Sequence, residues 1–156
     1  MDKNRLKKIF GIGPLGAVIS VALFALAVWI DERLGHLQIT PHTRAIGAGG
    51  VALILSGLGL HGWTMKTLQN WWQNDQLCTR GPFRFFRHPM YAAWISVICS
   101  GAALILNSWV LVLWVAALHL IWHRLVPYEE NMMRKRFGNA YDAYADRTGR
   151  FFPRLW

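Results

Sequence analysis

The chain has 156 residues, 54% of them hydrophobic and nine of them Trp, with 17 Lys and Arg against eight Asp and Glu. A soluble domain with that composition would leave too much apolar surface in water, so the composition excludes a soluble globular protein and points to a single integral membrane domain. The net charge of +9 calls for no nucleic-acid partner, because basic loops beside anionic headgroups account for it and no nucleic-acid-binding module accompanies it.

Four stretches are apolar enough to cross a hydrocarbon layer about 30 Å thick. The first runs from about Ile12 to Ile30 behind the basic leader Lys3, Arg5, Lys7 and Lys8. Ala25-Leu26-Ala27 resembles a signal-peptidase site, but the apolar run continues through Val28, Trp29 and Ile30, as an uncleaved anchor does. The second, about Ala45 to Met65, carries Gly47, Gly49, Gly50, Gly57 and Gly59, which favours close helix packing in lipid. The third and fourth, about Tyr91 to Leu106 and Trp109 to Trp122, are separated only by Asn107-Ser108, so they form a tight helical hairpin. The third is slightly short for a full span, which places the hairpin tip below the far interface. The expected fold is therefore all-α: a multi-pass bundle of about four transmembrane helices, the last two a hairpin, with a cytoplasmic C-terminal helix. Residues 1–74 hold two of these helices and residues 75–156 the half that concentrates the chemistry.

Charge bias orients such a bundle, because Lys and Arg are retained on the cytoplasmic side. With the N-terminus inside, only Arg33 and Arg44 fall outside. Both termini are expected in the cytoplasm, in a bacterial cell at the inner membrane. Cys78 in a cytoplasmic loop and Cys99 within a membrane helix are not expected to form a disulfide, and neither belongs to a CxxC or zinc spacing.

Two inside segments carry the candidate chemistry. In LCTRGPFRFFRHPMY, residues 77–91, Gly81-Pro82 marks a turn and Pro89 begins a membrane helix. The free N–H groups and positive dipole end of such a start suit an anionic group, with His88 and Tyr91 beside it. A helix start dressed with interfacial aromatics and headgroup-binding Arg fits these residues equally well. The second segment, HRLVPYEENMMRKRFGNAYDAY at 123–144, holds Pro127, expected to reset the helix, and then Glu129 and Glu130 in its first turn near Arg124 and Arg134. Phe137, Tyr141 and Tyr144 form an aromatic stripe suited to packing on membrane or protein. The tail RTGRFFPRLW is basic and aromatic, as an interfacial anchor is.

Taken jointly, RHPMY at 87–91, the Thr-x-Gly-Pro-Phe turn at 79–83 before it and YEENMMRKRFG some forty residues later resemble the isoprenylcysteine carboxyl methyltransferases. The phospholipid N-methyltransferases share much of this pattern. The likeness covers roughly residues 75–154, while the first two helices match only as generic spans. It implies S-adenosylmethionine as methyl donor, bound on the cytoplasmic side. His88, Pro89, Met90 and Tyr91 match the HPxY element, Leu77, Cys78 and Phe83 the loop before it, and Glu129 the cofactor-contacting glutamate. Glu130, the adjacent acid, and Arg124 are the candidate catalytic residues. Arg124 stands one residue before the register of the family's substrate-side arginine, which holds Leu125 here. Ala93 stands where Gly usually follows the HPxY element.

A sulfonium donor is already activated, so methyl transfer chiefly requires alignment and exclusion of water. A carboxylate acceptor needs no general base, whereas an amine or thiol calls on His88 or a Glu. The implied partner is a lipophilic small molecule entering from the bilayer, with membrane lipids around it. Other classes stay open at this point. His61, His119 and His123 lie near the same membrane face, with the last two at the i,i+4 spacing of a metal site. A nicotinamide-dependent membrane reductase and a non-enzymatic assembly protein also fit the same pattern of spans.

Overall fold

The structure is a computed structural model that describes residues 12–71 and 76–154. The basic leader therefore lies outside the described residues. Four apolar helices are present: α1 (Gly13–Arg33), α2 (Thr43–Trp71), α3 (Pro89–Ile105) and α4 (Trp109–Leu125). They are followed by α5 (Pro127–Phe137) and α6 (Asn139–Ala145). A 3-10 turn at Gly81–Arg84 precedes α3, and no strand occurs among the described residues beyond isolated bridges. The all-α hairpin architecture expected from the sequence is thus present. α1, α2 and the run Trp109–Phe137 are long and apolar enough to cross a membrane, while α3 is shorter.

Pro127 does not redirect the chain. Val126 keeps helical dihedrals, φ −56° and ψ −34°, so α5 continues the line of α4. Proline lacks a donor but still accepts the helical φ, which lets the helix pass through it. The break comes at Gly138, whose φ of 53° and ψ of −134° are open only to glycine without strain. There the chain turns into α6.

α1 packs on α4 and α2 on α3, with the α3–α4 hairpin between them, so the four helices stand in the order α1, α4, α3, α2. Two of the α2 glycines make that row possible. A Cβ on Gly50 would lie 2.6 Å from the Gly101 carbonyl oxygen, and one on Gly57 would lie 2.5 Å from Ile98 Cγ1 and 3.1 Å from the Ala93 carbonyl oxygen. Gly47, Gly49 and Gly59 face open space, so the expectation of close packing holds for two of the five glycines named. The Ala93 carbonyl belongs to a π-helical segment, Ala92–Ile98, which widens α3 just after its Pro-initiated start. Such segments are uncommon and recur at functional sites. Gly50→Val is expected to destabilise the protein by about 1–3 kcal/mol or more, because the collision is with backbone. Thermal unfolding in detergent measures this, and an unchanged midpoint would contradict the packing.

At the end of the bundle away from Pro89, the hairpin tip is tied to the α1–α2 connection. Asn107 takes the left-handed φ of 48° that this residue type tolerates. Its amide nitrogen donates to the Thr40 carbonyl at 2.8 Å and its amide oxygen accepts from the Thr40 N–H at 3.2 Å. Ser108 caps α4 by accepting from the Leu111 N–H and donates its hydroxyl to Asp31 at 2.7 Å. The other Asp31 oxygen meets His36 Nδ1 at 2.6 Å. This buried polar knot closes one end of the bundle. The chemistry-bearing residues gather at the other.

Candidate active site

The site is assembled where the start of α3, the start of α5, the first turn of α1 and the C-terminal tail converge. Pro89 begins α3 and is buried, leaving His88 immediately before the first turn and Tyr91 within it. Glu129 and Glu130 occupy the first turn of α5, and neighbours on a helix point about 100° apart. They accordingly serve different partners, with the His88 ring between them.

Glu129 faces Tyr91 and α1. Its Oε1 accepts from the Tyr91 hydroxyl and from the Ile12 backbone N–H, both at 2.9 Å. Its Oε2 lies 3.6 Å from His88 Nδ1, beyond hydrogen-bond length, and keeps accepting capacity. Tyr91 stacks on His88 with ring centroids 5.6 Å apart and planes at 10°. Its other neighbour is Trp122, at 4.4 Å.

Glu130 faces the tail and is 2% exposed. Arg150 grips it with two nitrogens, at 3.0 Å and 2.7 Å, and Arg87 Nε donates at 2.9 Å. Three charge-assisted donors on one buried carboxylate stabilise its ionised form. Arg87 also donates to the carbonyls of Ala145 and Thr148, tying the α3 entry loop to the end of α6. His88 Nε2 stands 3.7 Å from Glu130 Oε1 and is a buried nitrogen without a hydrogen-bond partner.

The tail runs beside the entry loop. Arg87 N–H donates to the Gly149 carbonyl at 2.7 Å and His88 N–H to the Arg150 carbonyl at 3.2 Å, around the Phe86–Gly149 bridge. Phe151 is buried against His88, His119 and His123, while Phe152 stacks on His119 at 5.2 Å and stays exposed. Tyr144 closes the underside, its hydroxyl facing the carbonyls of Phe83 at 2.8 Å and Phe86 at 3.1 Å. Burial pushes the Tyr141 phenol up to about 12 and raises that of Tyr144 too, so both stay neutral.

The sequence expectations divide accordingly. His88, Tyr91, Glu129 and Glu130 come together, with Pro89 buried behind them. Phe83 takes part through its carbonyl rather than its ring. Leu77, Cys78 and Met90 are half-buried nearby, and burial raises the Cys78 thiol, which argues against a nucleophilic role. Arg124 is exposed on the outer side of α4 and makes no ion pair with either glutamate. Arg134, expected beside the glutamates, turns instead to Asp142 at 2.8 Å. Sequence reasoning missed Arg150 and Phe151, which lie in a tail that reads as a surface anchor, and it missed Arg87, Trp122 and Ile12. Arg87 had a signal: it is the first residue of RHPMY. The aromatic stripe packs on protein, since Tyr141 and Tyr144 are buried. His119 and His123 have ring centroids 6.4 Å apart, and no three His, Cys, Asp or Glu among the described residues are placed to hold a metal ion.

A carboxylate with an open acceptor oxygen thus lies beside the stacked His88 and Tyr91 rings. Residues 44–140, which include all of α2 but Thr43, α3 and both glutamates, match the family described as phospholipid methyltransferase. The chain belongs to the phospholipid methyltransferase family. Among curated proteins it is 28% identical over 152 residues to the nickel-cobalt-cadmium resistance protein NccN of Alcaligenes xylosoxydans xylosoxydans, covering 92% of this chain and 65% of that one. It is 28% identical over 78 residues to a probable protein-S-isoprenylcysteine O-methyltransferase of Oryza sativa subsp. indica, covering 50% of this chain and 41% of that one. The cobalt-zinc-cadmium resistance protein CzcN of Cupriavidus metallidurans is 29% identical over 122 residues, 73% of this chain and 56% of the relative. The chain thus spans less than two thirds of the length of each of these relatives. In fold it is similar to the eukaryotic intramembrane Ras methyltransferase ICMT, with a TM-score of 0.63 at 20% identity over 98% of this chain and 54% of that one. Membership of the family and the fold are established on these grounds. α1 and the tail lie outside the family-matched residues.

Proposed function

We propose that this chain is a membrane methyltransferase that moves a methyl group from S-adenosylmethionine to a lipophilic acceptor, most fittingly the carboxylate of an isoprenylcysteine-like compound. The observation that carries the reading is the meeting of His88 and Tyr91 with Glu129, 38 residues apart in the Tyr91–Glu129 hydrogen bond, at the mouth of an apolar bundle. The cofactor supplies an electrophilic methyl on a positively charged sulfur. Glu129 Oε2, beside the stacked His88 and Tyr91 rings, would accept from the cofactor's donors, and the buried surroundings would keep water out. For an amine or thiol acceptor, His88 is the candidate base. Arg124, exposed where α4 leaves the membrane, is our candidate for attracting an anionic acceptor. Glu130, saturated by two guanidiniums, takes the part of a structural anchor. The acceptor reaches the site from the bilayer and the cofactor from water. On this reading both termini face the cytoplasm, so reporters after Trp156 and near Asn4 should read cytoplasmic and one near Leu37 should not.

Glu129→Gln tests the assignment. It is expected to weaken S-adenosylhomocysteine binding about ten- to a hundredfold, on the scale of a charge-assisted hydrogen bond. Calorimetric titration of detergent-purified protein reads this directly. Near-wild-type affinity in Glu129→Gln would remove Glu129 from the cofactor, and a wild-type chain that binds NADPH in preference would replace the methyltransferase reading with a reductase one. Labelled-methyl transfer to an isoprenylcysteine carboxylate, a phospholipid amine and a lipophilic thiol then separates the acceptor classes.

A further inference from the structure

α1 does more at this site than anchor the chain. Trp122 is 4% exposed and its ring is clamped between two elements. On one side stands Tyr91, with centroids 4.4 Å apart and planes at 46°. On the other side α1 comes so close that a Cβ on Gly16 would lie 2.4 Å from two atoms of the indole. The indole N–H donates to Ser20 Oγ at 3.1 Å, and the Ser20 hydroxyl donates onward to the Gly16 carbonyl at 2.7 Å, so each polar group in this relay is satisfied. Seven residues beyond Trp122, on the same face of the continuous α4–α5 run, is Glu129. Its Oε1 receives the Ile12 N–H, one of the backbone donors at a helix start that lacks an intrahelical partner. A Cβ on Gly13 would make ordinary van der Waals contact with the Tyr91 hydroxyl, at 3.4 Å.

We propose that α1 is a wall of the methyl-transfer site, with Gly16 and Ser20 as positioning residues that hold the Trp122 ring against Tyr91 and thereby keep Tyr91 on Glu129. This rests on the functional reading above. Gly16 is glycine because the indole occupies the space of a side chain. Ser20 sets the rotation of that indole, which nothing apolar at the position would do. The order of contact is Gly16, Trp122, Tyr91, Glu129, so a displacement at α1 arrives at the carboxylate that faces the cofactor.

The test measures S-adenosylhomocysteine affinity beside thermal stability for the full chain in detergent. Ser20→Ala is expected to weaken binding about 2- to 10-fold, the range of one neutral hydrogen bond, while Ser20→Thr, which keeps the hydroxyl, stays near wild type. Ser56→Ala removes a comparable hydroxyl, bonded to the Ala52 carbonyl on exposed α2, and should leave affinity unchanged. Gly16→Ala is expected to weaken binding about tenfold or more by driving the indole toward Tyr91. Adding Trp122→Phe to Gly16→Ala should recover part of that loss, because the smaller ring vacates the overlap. Lower melting temperatures with wild-type affinity in both Ser20→Ala and Gly16→Ala would overturn the positioning role. A cofactor-free readout separates this from the functional reading: amide exchange at Ile12 should quicken in Glu129→Ala, and unchanged exchange would overturn the docking of α1. Failure of the wild-type chain to bind S-adenosylhomocysteine would overturn the methyltransferase reading, and the assigned role with it, whatever the exchange shows.

Discussion

Glu130→Gln is expected to destabilise the protein by about 3–5 kcal/mol, the cost of breaking a buried ion pair from one side. The carboxylate is 2% exposed and meets Arg87 Nε, Arg150 Nε and Arg150 Nη2 at 2.9, 3.0 and 2.7 Å. Glutamine leaves one oxygen for three donors and turns an amide N–H₂ toward guanidinium N–H groups that have no lone pair to offer. A solvated acid at a helix start would instead cost at most about 1 kcal/mol, through the dipole and a surface pair. The two cases are far enough apart for the unfolding midpoint in detergent to decide between them. Combining Glu130→Gln with Arg150→Gln should cost less than the sum of the two changes, since each alone strands the other's charge. A loss below 1 kcal/mol for Glu130→Gln, or strict additivity, would show that the cluster is not closed to water.

Gly149→Ala should act on the same cluster from a distance, and by about the same 3–5 kcal/mol, because it releases Arg150 from Glu130. A Cβ at Gly149 would lie 1.7 Å from the Phe152 carbonyl oxygen and 2.9 Å from its carbon. Both are backbone atoms, so no rotamer change relieves the overlap and the turn must open. Opening it moves the tail off the entry loop, where the Gly149 and Arg150 carbonyls receive the Arg87 and His88 N–H groups. It also uncovers Phe151, which is 2% exposed. Limited proteolysis should then cut within the tail of Gly149→Ala and spare the wild-type chain. In a protein already carrying Arg150→Ala, the glycine change should cost only the overpacking, about 1–3 kcal/mol. An undiminished effect there would mean that the turn stabilises the protein by some route other than Arg150.

Much of the bundle was legible in the sequence because membrane helices obey local rules. An apolar run of sufficient length, a two-residue Asn107-Ser108 break and a proline at a helix start each constrain the backbone within a few residues. The spans, the hairpin and the placing of His88, Tyr91 and the two glutamates at one end follow from that. Joint motifs did the rest, since RHPMY and YEENMMRKRFG together single out a family that neither does alone. Where local logic was applied to partners, it misled: Arg124 and Arg134 are near the glutamates in sequence, yet the cations that reach Glu130 are Arg87 and Arg150, 43 and 20 residues away.

The sequence by itself thus determined the membrane-spanning helices, their order and the end of the bundle where the polar motifs collect, because hydropathy, helix caps and turn residues act over one or two helical turns. Only the tertiary structure decided that Glu129 turns to Tyr91 and Ile12 while Glu130 turns to two arginines. It likewise decided that the basic aromatic tail folds inward and that α1 clamps Trp122. Helical spacing gives the face on which a side chain lies, and nothing in that spacing specifies what packs against the face. In a buried site the partner settles whether a carboxylate is an anchor or a ligand, and that choice is made by contacts spanning from twenty to more than a hundred residues of chain.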